Sequence, residues 1–321
     1  MLTGKYQELY QALSSAIPTE RLIHDPLRTL AYGTDASFYR LIPNLVVKAE
    51  SEEELLAVMR ACRLLQTPFT FRAAGTSLSG QSISDSVLVM PGSGWKGIWI
   101  SPDGTQIRLQ PGVIGTHANI RLLPYQRKIG PDPASINSAM IGGIAANNSS
   151  GMCCGTAQNS YNTVASMRMI FVDGSVLDTG SLESRRQFAE THPGMMDLVR
   201  DLSERTRKNS DLAARIRRKF KMKNTTGYSL NALVDFEDPI DIITHLMIGS
   251  EGTLGFISEI TYHTVPDLPF KATSLMLFPD IKTACEATIL LKSRPVAAVE
   301  IMDRASLRSV EAKPGMPVYL K

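Results

Sequence analysis

The chain is expected to fold as α+β, and three features lead there. A strand–helix–strand run near the N-terminus ends in a loop of very small residues, two later stretches read as antiparallel hairpins, and charged helices follow them. The first run starts with NLVVKA from Asn44, continues as a helix from Ser51 through Gln66, and ends with the strand PFTFR at Arg72. Ser51 suits the N-cap because a hydroxyl there can accept from an otherwise unpaired N–H. Glu54 is its capping-box partner, and Leu55, Leu56, Val58 and Met59 recur at core-facing spacing. Ahead of this run, residues 1 to about 35 read as a helix and a polar connector.

After the loop, Val87–Met90 is a short strand, and Gly97–Pro111 is a hairpin closed by Pro102-Asp103-Gly104. A helix over His117–Gln126 follows. The run VASMRMIFVDGSVLDTG from Val164 is a second hairpin turning at Asp173-Gly174, where glycine supplies the positive φ of a tight turn. Charged helices fill 182 to about 220, another spans Pro239–Met247, and FISEITYHTV from Phe256 alternates as a half-buried strand does. From Ala272 the pattern changes to strand ATSLMLF, helix DIKTACEATILLKS, strand VAAVEIM and a helix starting at Asp303. A β-α-β unit ending there leaves one apolar face open, so a fragment of a longer chain is expected.

The stretch with the most chemistry is Phe71–Gln81, FRAAGTSLSGQ. Side chains this small let a ligand lie against the backbone. Gly75 and Gly80 can take the positive φ that turns successive N–H groups the same way, a concave arrangement suited to phosphate oxygens. Thr76, Ser77 and Ser79 add hydroxyls. From Gly75 the sequence differs from the P-loop pattern at one position, where Gln81 replaces lysine and removes the charge needed at a β/γ-phosphate. G-x-G-x-x-G is absent here, and a plain turn remains an alternative for this stretch taken alone.

A second stretch, Gly130–Gly151, reads GPDPASINSAMIGGIAANNSSG. Pro131 and Pro133 fix an extended approach, Gly142-Gly143 permit close backbone packing, and Asn147, Asn148, Ser149 and Ser150 crowd amides and hydroxyls among apolar anchors. Polar groups this dense in an apolar run need partners. A third, Gly249–Gly255, reads GSEGTLG.

Length and charge exclude several classes. With 321 residues, 43% hydrophobic, the chain can hold one large or two medium domains. Its net charge of +3 is too mild for nucleic acid or a membrane surface as main partner. Basic residues between Arg205 and Lys223 accompany Leu212, Ala213, Ile216 and Phe220 at helical spacing, so they read as the solvated face of an amphipathic helix. No apolar run is long enough for a transmembrane segment and the N-terminus is no signal peptide, so a cytoplasmic protein is expected. Cys62, Cys153, Cys154 and Cys285 lack metal-ligand spacing and read as reduced thiols. The five histidines stand singly, which predicts no metal site and selects none as a catalytic base.

RAAGTSLSGQ, GPDPASINSAMIGGIAANNSSG and GSEGTLGFISEI, in this order, resemble the FAD-linked oxidases of the vanillyl-alcohol oxidase type, with the PCMH-type FAD-binding fold. Within that family the chain is most similar to the D-lactate, D-2-hydroxyglutarate and glycolate dehydrogenases, including large bacterial forms fused to an iron–sulfur region. The resemblance runs from about residue 20 to the end. It implies an N-terminal helix and connector over 1–36, a PCMH-type FAD-binding domain of two α+β subdomains over 37–267, and the incomplete start of a substrate (cap) domain over 268–321.

The implied cofactor is FAD, and the implied reaction is hydride transfer from a small-molecule 2-hydroxy acid to flavin N5. By the same resemblance Ala73, Ala74, Gly75, Thr76, Ser77, Gly80 and Gln81 hold the pyrophosphate. Asp132, Ser135, Gly142, Gly143, Asn147, Asn148 and Gly151 line the diphosphate and flavin ring, and Gly252 and Ile257 meet the other end. Some relatives attach flavin through a histidine in the first stretch; none lies between Phe71 and Gln81, so non-covalent FAD is expected. Cys153-Cys154, just beyond the second stretch, is a weaker redox candidate beside the flavin. In the relatives the base and carboxylate clamp come from the later half of the cap domain. An FAD-binding module without turnover of its own, serving a larger dehydrogenase or a downstream iron–sulfur subunit, therefore stands as the alternative. An electron acceptor is required, and no motif names it.

Overall fold

The computed structural model describes residues 2–291 and 293–317. One compact unit ends at Asp267, and a second begins at Leu268.

The first unit holds two sheets. Strands β1 (Leu22–Ile23), β2 (Leu45–Ala49), β3 (Phe69–Phe71) and β4 (Val87–Pro91) form a sheet in the order β1-β2-β4-β3, with β4 parallel to both β2 and β3. Periodicity gave β2, β3 and the helix Glu52–Leu64 between them, but not that β4 would insert between the two strands. Because β3 and β4 are parallel neighbours, residues 72–86 must travel the full strand length back, and they do so as irregular loop where most such connections use a helix. That leaves a long backbone segment at the carboxyl end of β3. It is the small-residue loop.

The helix Glu52–Leu64 starts as expected, with Ser51 Oγ accepting from Glu54 N at 3.2 Å. Glu54 departs from the capping-box geometry. Its carboxylate accepts from Glu50 N at 2.7 Å and takes both terminal nitrogens of Arg21 at 2.6 Å, which joins the helix start to the short turn before β1.

Strands β5 (Ile98–Ile100), β6 (Gln106–Leu109), β7 (Arg127–Ile129), β8 (Val164–Ile170), β9 (Val176–Asp178) and β10 (Phe256–Pro266) form the second sheet, antiparallel throughout. Both expected hairpins are present, β5–β6 and β8–β9. β10 sits at the centre between β6 and β8, with Ile260 opposite both Leu109 and Met167. Its inward residues Ile260 and Tyr262 are buried under the helices Gly115–Leu122, Ile141–Asn147 and Pro239–Met247, while His263 points to solvent. Tyr262, fully buried, shares a 2.8 Å hydrogen bond with Ser160 Oγ. Burial raises its phenol pKa, so the hydroxyl stays protonated.

The two sheets share a seam. Ile170 and Phe256, at the ends of β8 and β10, pack into the core of the first sheet with Leu45, Val47, Val87 and Val89. Phe256 stands 5.1 Å from the ring of Phe71 and 5.3 Å from that of Trp95, whose Nε1 donates to Ala49 O at 2.8 Å. The ends of β3 and β10 are therefore fixed against each other, and the loops that leave them face a common space. The helices Pro193–Lys208 and Ser210–Lys219 lie outside, the latter burying Ala213 and Ile216 and leaving its basic residues in water.

In the second unit, helices form over Ile281–Leu291 and Arg304–Arg308. The strands expected over 272–278 and 296–302 do not form. Parallel strands need hydrogen-bonded neighbours and cover on both faces, and a single crossover helix supplies neither. Leu275, Met276, Leu277 and Phe278 stay 37–58% exposed.

Candidate functional site

The three glycine-rich stretches converge at the seam. Gly143, on the helix Ile141–Asn147 in the later half of the second stretch, faces the first: a β-carbon added there would lie 3.2 Å from Ala73 Cβ. Gly252, in the third, lies over Phe71, where a β-carbon would come within 3.3 Å of the ring, and its φ is +77°. Glu251 ties the third to the second, its N–H donating to Ala146 O at 2.9 Å and its carboxylate accepting from Asn147 Nδ2 at 2.5 Å. Asn147 Oδ1 accepts in turn from Ser149 Oγ at 2.8 Å.

Between these stretches lies a cavity of about 740 Å³, large enough for an extended cofactor. Of the residues singled out from the sequence, Ala73, Ala74, Gly75, Thr76, Ser77 and Gln81 line it from the first stretch, Ser135, Gly142, Gly143 and Asn147 from the second, and Gly252 and Ile257 from the third. The other four stand behind the wall. Gly80, with φ of +77°, packs against Tyr39. Asp132 Oδ1 accepts from the N–H groups of Gly151 at 3.0 Å and Cys154 at 3.2 Å, clasping the end of the second stretch. Asn148 ends the helix Ile141–Asn147 in a left-handed conformation, and its buried Oδ1 accepts from Tyr161 N at 3.3 Å.

The first loop has the shape its composition suggests. Gly75 and Gly80 take φ of +71° and +77°, and Ser77 Oγ donates to Gln81 Oε1 across the turn. Asp35 braces it from outside by accepting from Ser37 N at 2.8 Å and Ser82 Oγ at 3.0 Å. Burial works against ionisation of Asp35, but these hydrogen bonds outweigh it and hold the carboxyl below its ordinary range.

Charged residues that sequence reading left out also reach the wall: Arg72, Lys223 and Glu251. Thr225 and Thr226 join Lys223 from the loop KNTTG, which carried no signal beyond its polarity. Glu251 stood in plain view between glycines, and a carboxylate in such a turn reads as solvated. Here it is half-buried with φ of +53°, and burial raises its pKa above the ordinary 4.5, against the opposing hydrogen bond from Asn147.

A raised carboxyl pKa means that folding favours the neutral form, so the contribution to stability is full below pH 4.5 and is lost as pH rises through the folded-state value. Glu251→Gln, which keeps an acceptor for Asn147, is therefore expected to melt higher than wild type at neutral pH. The gain is about a degree or two, since the carboxyl still meets the cavity's water. The difference shrinks as the pH is lowered toward 4.5. Melting curves across a pH series check this; a gap that widened on acidification would contradict it.

Histidines and cysteines sit elsewhere. His245 stacks on Phe236 with centroids 3.9 Å apart, and burial lowers its pKa; His192 stacks on Phe188 at 4.2 Å. Cys154 is buried beside Asp132 and its thiol is pushed up to about 11, first by burial, which suppresses the thiolate that redox chemistry needs. Among the described residues no group of three or more metal-ligating side chains comes together.

Residues 43–180 match the FAD binding domain family. This part of the chain is an FAD binding domain, and FAD is its cofactor. It contains β2 to β9, the first two glycine-rich stretches and most of the cavity wall.

Around the FAD binding domain, similarity extends further. The chain is 26% identical over 305 residues to the glycolate oxidase subunit GlcD of Escherichia coli K12, covering 94% of this chain and 51% of that one. It is 28% identical over 238 residues to the D-2-hydroxyglutarate dehydrogenase of the same organism, covering 72% of this chain and 23% of that one. Against the mitochondrial D-lactate dehydrogenase [cytochrome] of Arabidopsis thaliana identity is 23%, over 98% of this chain and 48% of that one. The chain thus spans about half the length, or less, of these curated relatives.

Among solved structures, alkyldihydroxyacetonephosphate synthase superposes with a TM-score of 0.58 at 17% identity, covering 90% of this chain and 46% of that one. A Phl p 4 variant described as a glucose oxidase gives 0.54 at 10% identity, over 80% and 44%. At these identities the likeness is one of fold: α+β, with the PCMH-type FAD-binding architecture.

Proposed function

We propose that this chain is the FAD-binding portion of an oxidoreductase that oxidises a D-2-hydroxy acid of the D-lactate, D-2-hydroxyglutarate or glycolate type. The relatives' names support the reaction class. The observation that carries the reading is the convergence of three small-residue stretches on one cavity, with Gly75, Gly252 and Gly143 each bringing backbone to its surface. Bound FAD supplies hydride acceptance at flavin N5.

The chain's own residues bind, orient and shield. The 73–77 backbone N–H groups and the hydroxyl of Thr76 face the cavity as donors for phosphate oxygens, while Ser77 Oγ is held by Gln81 and braces the turn. Gly142 and Gly143 let a planar ring approach the helix that carries them, and Phe256 and Ile257 exclude water from the β10 side. Among the described lining residues no histidine or cysteine stands, which supports dissociable FAD. Four free thiols fit a reducing, cytoplasmic setting. The domain division at residue 267, with a cap domain beyond it, belongs to the same proposal.

One observation favours the module reading. Hydroxy-acid oxidation needs a base for the hydroxyl proton and a cation for the carboxylate. The one carboxyl among the described lining residues, Glu251, is tied to Asn147, so a separate part of the enzyme, or a partner subunit, would complete the chemistry. The test is to reconstitute the chain with FAD, remove the excess, and add D-lactate, D-2-hydroxyglutarate or glycolate without oxygen. Retained flavin absorption that stays unbleached supports the module, and bleaching supports turnover by this chain alone. A chain that retains no flavin from a large excess refutes both.

A further inference from the structure

We infer that Arg72 is the side-chain cation of the cofactor's diphosphate site, carried by the fold as a half-buried and largely unpaired charge. The inference rests on the FAD reading above and adds to it the one charged side chain of the first glycine-rich stretch.

The guanidinium lines the cavity, yet its Nε is buried without a hydrogen-bond partner. Nη1 donates to Tyr32 O at 3.0 Å, and among the described residues no carboxylate lies within ion-pair distance. Asp35 acts on Arg72 at longer range only, its oxygens being taken by Ser37 and Ser82. Buried arginines are ordinarily paired, because a desolvated charge without a counter-ion destabilises the fold. The position of this one explains the exception. A β-carbon on Gly75 would fall 2.5 Å from Nη2 and 2.6 Å from Nε, so the planar fork lies directly against the positive-φ glycine around which the loop turns its N–H groups. Guanidinium and backbone donors thus share one edge of the cavity, and an arginine fork matches a pair of phosphate oxygens. Lys223 also reaches the wall, but it is exposed and its charge is already hydrated.

A cation held for a ligand weakens the empty protein, whereas a cation held for the fold strengthens it. The test uses the full chain stripped of FAD, as wild type, Arg72→Met and Arg72→Lys. Flavin fluorescence titration over a KCl series, competition by ADP and thermal melting of the FAD-free forms are measured. Arg72→Met should weaken FAD about 10- to 100-fold, as loss of a charge-assisted hydrogen bond does. It should weaken ADP in proportion and flatten the dependence of log Kd on log salt. Arg72→Lys should fall between. The FAD-free Arg72→Met protein should melt no lower than wild type. Unchanged FAD affinity in Arg72→Met overturns the inference, as does a melting temperature that falls with the affinity, since both make Arg72 structural. Failure of the wild type itself to bind FAD removes the cofactor reading, and the inference with it.

Discussion

Gly151→Ala is expected to lower the melting temperature by roughly 6–12 °C, corresponding to about 3 kcal/mol in a unit of this size. The added β-carbon would stand 1.8 Å from Asp132 O and 2.7 Å from Asp132 C, both main-chain atoms that no rotamer change can move aside. The obstructed contact is the clasp in which Asp132 Oδ1 accepts from Gly151 N and Cys154 N, so relief by displacement breaks two hydrogen bonds to a carboxylate. Gly155→Ala is the control. Gly155 has φ of +49° but nothing within 4 Å of its added β-carbon, so it should show only the cost of a left-handed alanine, about 1 kcal/mol. Thermal denaturation of the two variants separates clash from backbone strain, and equal losses would sink the argument from Asp132. FAD retention should fall with stability in Gly151→Ala, because the displaced segment carries Ser149 and Ser150 on the cavity wall.

The contrast between these two glycines shows where sequence reading holds and where it stops. Residues with a strong local reason were legible: the helix Pro239–Met247, the turns at Gly104 and Gly174, and the N-cap at Ser51 each follow from a few adjacent side chains. That the three stretches serve one cofactor came from the family resemblance alone, since small and polar residues in apolar company call for a partner without naming it. Which of them face the cavity was not legible. Asp132, Asn148, Gly151 and Gly80 have the same composition as their neighbours and differ only in direction, which the turn at Asn148 and the packing on Tyr39 decide.

Arg72 escaped for a related reason. It is the last residue of an expected strand, and only the neighbourhood of Gly75 and Tyr32, which a strand assignment does not bring together, makes it a half-buried charge. The insertion of β4 between β2 and β3 belongs with these, since strand order is a pairing of distant segments that periodicity does not encode. The failed strands at 272–278 and 296–302 show the reverse. Their apolar pattern is real, but a strand exists only in a ladder.

Gly143→Leu is expected to abolish cofactor binding while sparing the fold, and it separates the cavity's role from its architecture. Among the described residues outside its own helix, Ala73 Cβ alone lies within 4 Å of a β-carbon placed on Gly143, at 3.2 Å, so the branched side chain beyond it has open cavity to enter. Its neighbour Gly142 differs. There the β-carbon meets Pro111 Cβ at 2.7 Å, so enlargement at 142 strains the packing between the helix and the end of β6. At 143 the exchange also removes a glycine from inside a helix, which favours the folded state by about 1 kcal/mol. The FAD-free Gly143→Leu protein should therefore melt at or slightly above wild type, while FAD affinity falls about 100-fold or more because leucine occupies ligand volume. Fluorescence titration with FAD and melting of the FAD-free forms measure the two quantities separately. Wild-type affinity in Gly143→Leu would place the cofactor away from this helix and dissolve the assignment of the cavity. Lost affinity together with a much lower melting temperature would instead show that Ala73 cannot yield the few tenths of an ångström that the new β-carbon requires.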